Sequence, residues 1–136
     1  MWEDTWAGWD KNTTTLAVCR KHIERACKRF GIKPPIVKQH DTNAVSWSTP
    51  QKNIISMQGY GPDGLGGLNV PIALHEAAHH IIYHRVGLRP QDHGPTFLGV
   101  YLWLLENAKV ASGAALRASA KTGKLKWREI HPLAMK

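Results

Sequence analysis

Apolar residues at Leu16, Cys19, Ile23, Ala26, Cys27 and Phe30 recur at spacings of three and four, which predicts an amphipathic helix from about 16 to 30. The polar stretch Asn12-Thr13-Thr14-Thr15 supplies its cap, Gly31 closes it, and Pro34-Pro35 forbid continuation. Ahead of it, Trp2, Trp6 and Trp9 mark an arm, 1–12, that either docks on the core or binds a partner. Three short extended runs follow: Ile36-Val37-Lys38-Gln39, Ala44-Val45-Ser46-Trp47-Ser48 and Asn53-Ile54-Ile55-Ser56-Met57. Turn residues separate them, so they read as a small three-stranded antiparallel meander. The glycine-rich stretch 58–67 lacks the order of a phosphate-binding loop and reads as a surface loop beside a cleft. Asn69 then caps a helix with Pro71 in its first turn and Gly87 at its end. A second long helix starts at Gly94-Pro95 and runs to about Ala111, with Phe97, Leu98, Tyr101, Leu102, Leu104 and Leu105 apolar. Ser112 caps a last helix over 113–121, and a basic tail, about 122–136, is expected to be mobile. The order predicts an α+β domain: an N-terminal helix, a small sheet, then two core helices.

A chain of 136 residues that is 43% hydrophobic fits one domain with a core of its own. No run of eighteen apolar residues occurs and the start, Met1-Trp2-Glu3-Asp4, does not read as a secretory signal; a cytoplasmic protein with no membrane span is expected. Cys19 and Cys27 stand eight residues apart on one helix, about 12 Å along its axis, so they read as free thiols in a reducing compartment. The formal charge of +8 favours acidic partners, non-specific nucleic acid above all. Its cations gather on the first helix and its exit (Arg20, Lys21, Arg25, Lys28, Arg29, Lys33, Lys38) and in the C-terminal tail (Arg117, Lys121, Lys124, Lys126, Arg128, Lys136). Lysines that only keep a small protein soluble are the competing reading.

The chemistry concentrates in His75-Glu76-Ala77-Ala78-His79, with His93 fourteen residues further on in Asp92-His93-Gly94-Pro95-Thr96-Phe97. On a helix, residues i and i+4 lie about 40° apart, so His75 and His79 aim two imidazoles at one point. Glu76 projects beside them, where a carboxylate can take a proton without being a ligand. A catalytic zinc needs three protein ligands and an open position. The third is expected from His93, which a short turn returns to the motif helix. Glu106 is the rival, but it lies thirteen residues beyond His93, about 20 Å along one helix, and cannot share an ion with it. Asp92 is a weaker rival. His80 and His84 are turned about 100° and 140° from His79 and read as core-edge or surface groups; His22, His40 and His131 have no partner in sequence.

HExxH, a short gap, and HGPxF opening a helix resemble the SprT-like (Spartan-type) zinc metallopeptidases, and among them the short metallohydrolases of actinobacteria and their phages. The resemblance covers about 74–105 and implies a minimal zincin-like fold, with His75, His79 and His93 as Zn2+ ligands, Glu76 as the catalytic glutamate, and Phe97 as the aromatic that seats the second helix. It implies peptide-bond hydrolysis of a protein or peptide substrate, with Glu76 passing a water proton to the leaving amine. Tyr60, Tyr83 and Tyr101 are the oxyanion donors on offer. The substrate would lie along a sheet edge, most plausibly the strand before the glycine-rich loop. The zinc ribbon of larger relatives is absent from this chain. The alternative is a basic nucleic-acid-associated or partner-binding protein with a weak or latent metal site.

Overall fold

The computed structural model describes residues 14–42, 44–59, 68–87 and 93–132. The tryptophan arm, Tyr60 with the rest of its loop (60–67), the turn 88–92 with Asp92, and 133–136 lie outside the described residues. Helix α1 covers Leu16–Arg29, and Thr15 is its cap, accepting a hydrogen bond from Val18 N. Its apolar stripe buries Cys19, Ile23, Ala26 and Cys27, as the three-four spacing predicts. Burial pushes the Cys19 thiol up to about 11 and the Cys27 thiol up to about 12, so both are unreactive core groups.

Strands β1 (Ile36–His40), β2 (Trp47–Thr49) and β3 (Ile54–Gln58) form one sheet in the order β1-β3-β2. The expected antiparallel meander is incorrect. Strand β2 pairs antiparallel to β3, but β1 pairs parallel to it, with Ile36 opposite Ile54 and His40 opposite Gln58. The chain between β1 and β2 crosses the end of β3. Gln58 N donates to Ser46 Oγ at 2.8 Å, Gln58 Nε2 donates to the Thr42 carbonyl at 3.1 Å, and His40 Nε2 sits 2.7 Å from the Ala44 carbonyl. His40, without a partner in sequence, is tied at both nitrogens, with Nδ1 2.7 Å from Ser56 Oγ, and is stacked on Trp47 at 4.3 Å. Residues 44–46, expected to be strand, belong to this crossing, and 50–52 form a short 3-10 turn closed by Asn53 in the left-handed region (φ 58°).

Helix α2 (Val70–Val86) is the spine of the molecule. Asn69 Oδ1 accepts from Ile72 N at its start, and Gly87 takes φ 73° at its end. It packs against α1, the sheet and helix α3 (Pro95–Asn107), so its buried residues surround it rather than forming one stripe. Helix α4 (Gly113–Thr122), capped by Ser112, packs on α3. No helix among the described residues is long and apolar enough to cross a membrane.

The stretch after α4 is held, contrary to the mobile tail expected from its charge. Arg128 N donates to the Pro95 carbonyl at 3.0 Å, Arg117 grips both oxygens of Glu129 at 2.8 and 2.9 Å, and Trp127 Nε1 donates to the same carboxylate at 2.9 Å. Pro132 is buried, and Arg85 reaches its carbonyl at 3.5 Å. The strap 124–132 therefore bridges the end of α2 and the first turn of α3.

Candidate metal centre

One turn of α2 puts His75 and His79 on the same face, and the residue just ahead of the Gly94 cap of α3, His93, comes onto them. The three Nε2 atoms form a triangle with sides of 3.2 Å (His75–His79), 3.3 Å (His75–His93) and 2.9 Å (His79–His93). Nitrogens about 2.0–2.1 Å from a tetrahedral zinc stand about 3.3 Å apart, so the cluster has the dimensions of three arms of such a site. The three nitrogens lie at hydrogen-bond distance from one another. Burial is the main reason that the His79 imidazolium is disfavoured, with its pKa lowered to about 3, and the positive potentials of His75 and His93 add to it. The His79 ring is thus neutral at physiological pH, with a lone pair to offer. Its Nδ1 is buried and has no hydrogen-bond partner among the described residues, so its polar engagement is at the convergent nitrogen.

Exposure is graded across the cluster: His79 is buried, His75 half-buried and His93 exposed. The site therefore opens on its His93 side. No other His, Cys, Asp or Glu among the described residues joins the three. A structural zinc is closed by a fourth such ligand, whereas a catalytic one keeps a position free. Glu76 is buried to 7% exposure next to His75 in the chain.

Phe97 forms the wall of the centre. Its ring lies 5.0 Å from His75, 4.5 Å from His79 in a stacked arrangement and 4.8 Å from His93. Tyr101, one turn further on α3, packs on His75 at 5.4 Å and donates its hydroxyl proton to the Pro71 carbonyl at 3.0 Å. That proton is committed to joining α2 and α3, which removes Tyr101 from the oxyanion donors read in the sequence. Tyr83 is half-buried, with its ring against His84, and Tyr60 lies outside the described residues. The Tyr101–Pro71 bond was not foreseen, and only the i, i+4 spacing of Phe97 and Tyr101 hints at a shared wall.

Glu106 stands apart from the cluster. It pairs with Arg117 at 3.4 Å and closes the α3–α4 corner. His80 was expected at the core edge or surface. It is fully buried, with Nε2 at 3.2 Å from the Lys33 carbonyl, while His84 is exposed. Strand β3, expected to offer its edge to a peptide, is the central strand with both sides paired.

No protein-family model, no curated protein and no solved structure matches this chain.

Proposed function

We propose that the protein is a zinc-dependent metallopeptidase of the SprT-like kind. The observation that carries this reading is the triangle of Nε2 atoms, exposed on one side, with Glu76 adjacent on the same helix. When bound, zinc would acidify a water molecule and polarise a peptide carbonyl. His75, His79 and His93 hold the ion. Glu76, a carboxylate that helical spacing sets beside rather than among the ligands, accepts a proton and returns it to the leaving amine. Phe97 keeps bulk water from the inner side of the imidazoles. With β3 paired on both sides, an extended substrate has only an outer strand to pair with, and β2 is the outer strand that packs against α2.

The test separates binding from chemistry. Metal content and hydrolysis of an unfolded protein substrate are measured for the wild type and variants. We expect one zinc per chain and hydrolysis stopped by a chelator. His93→Ala should release the metal, Glu106→Ala should retain it, and Glu76→Gln should bind zinc yet lose at least about 100-fold in rate. Metal kept by His93→Ala but lost from Glu106→Ala overturns the ligand assignment. A zinc-loaded wild type that cleaves nothing in a broad peptide library overturns the peptidase reading.

A further inference from the structure

A second concave feature lies between α1 and α3, away from the three histidines. It is a shallow groove of about 70 Å³ with Leu74 of α2 at its floor. Its α1 wall presents His22, Arg25 and Arg29, and its α3 wall Trp103 and Asn107. Among the described residues, no Asp or Glu lines it.

We propose that this groove binds the phosphodiester backbone of a nucleic-acid strand, with Arg25 and Arg29 pairing to phosphates. Positions 22, 25 and 29 fall on one helix face, spanning about 10 Å along the axis. A strand that presents a charge about every 3.4 Å along its axis can meet both guanidiniums, with His22 as a neutral neighbour. The Arg29 guanidinium is held over the Trp103 ring at 5.4 Å, which fixes it before any ligand arrives. His22 lies in a positive field: burial first, then Arg25 and Lys21, lower its pKa, so the groove has positive potential without a built-in counter-charge. A polymer fits better than a small anion, because the charge runs past the groove. Helix α1 carries Arg20, Lys21, Arg25, Lys28 and Arg29 against the single acid Glu24. Of these, Arg20 is engaged with the Val37 carbonyl at 3.1 Å. The groove does not depend on the metal centre, and its test can fail without touching the peptidase reading.

The test is fluorescence anisotropy with a labelled single-stranded oligonucleotide at about 50 and 200 mM salt. Two contacts on a single strand, each contributing about 0.7 to the salt slope, weaken binding about 7-fold over that range. In Arg25→Glu/Arg29→Glu neither contact remains, and the salt-dependent fall should disappear together with most of the binding. Lys121→Glu/Lys124→Glu reverses the same charge at the far end of the chain and should keep the wild-type slope. Should the groove variant fail to fold by circular dichroism, Arg25→Gln removes one contact, and the fall should drop to about 3-fold. No binding at tens of micromolar protein overturns the proposal. So does a slope unchanged in the groove variant, or an equal loss from the tail variant, which would mean diffuse charge. Displacement of the oligonucleotide by millimolar inorganic phosphate would assign the groove to a small anion instead.

Discussion

Arg117 and Glu129 show how much one pair contributes away from the metal centre. The side-chain hydrogen bonds from Arg117 and then Trp127 hold the Glu129 carboxyl down at about 2. A carboxylate depressed in the folded state stabilises the protein above its unfolded value, and that share is lost as pH falls from about 4.5 towards 2. The Glu129 side chain is 65% exposed, so solvent screening limits the effect to about 1 kcal/mol at neutral pH. Glu129→Gln should therefore lower the urea midpoint at pH 7 and matter progressively less towards pH 3. An equal penalty at both pH values would mean that the ion pair is not what holds the strap. Residue chemistry of this kind was only partly legible in advance. The three ligands could be read because i, i+4 geometry converts spacing directly into direction. The roles of Tyr101, His80 and Glu106 could not, since each depends on a partner 11 to 47 positions away in the chain.

At the scale of elements, Gly99 decides how closely the strap approaches α3, the helix that His93 precedes. A Cβ placed there would collide with the Arg128 carbonyl oxygen and meet Ile130 Cγ1 at 2.8 Å. One of the clashing groups is backbone, so it cannot swing aside as a side chain would. Gly99→Ala should cost about 1–3 kcal/mol, the usual penalty of overpacking, despite alanine being the better helix former. Hydrogen exchange should show the amide of Arg128, bonded to Pro95, losing protection first. A variant as stable as the wild type with Arg128 still protected would show that the strap does not press on α3. The strap's charge pattern suggested a free tail because composition records solvation and not the single buried proline or the bidentate arginine that anchor it. The sheet misled for a related reason. Alternation and turns located all three strands, but sequential strands were assumed to be neighbours, and the bend over Gln58 places β2 on the far side of β3. The near-continuous burial of Ile55, Ser56, Met57 and Gln58 is what a central strand shows, and the apolar Ile54-Ile55 start was its trace in the sequence.

Across the whole molecule, α2 separates two chemically different faces. Leu74 forms the floor of the cationic groove while its neighbour His75 faces the metal cluster, a division that follows from the 100° step between adjacent helical residues. The cluster itself adds a joint between α2 and α3, which already pack on each other: two ligands come from the middle of α2 and one from the mouth of α3. A ligand that binds this arrangement but not the unfolded chain adds stability by mass action, about 2.7 kcal/mol when free metal is 100 times its dissociation constant. For a domain of this size that corresponds to a rise of about 10 °C in the unfolding midpoint. Thermal unfolding with excess zinc and with chelator should show this gap in the wild type. His79→Ala should erase it, because the metal then has only two nitrogens. Glu76→Gln should keep it, since that carboxylate is not a ligand. Equal midpoints with and without zinc in the wild type would mean that the three convergent imidazoles are a packing arrangement rather than a metal site, and the peptidase reading would fall with it.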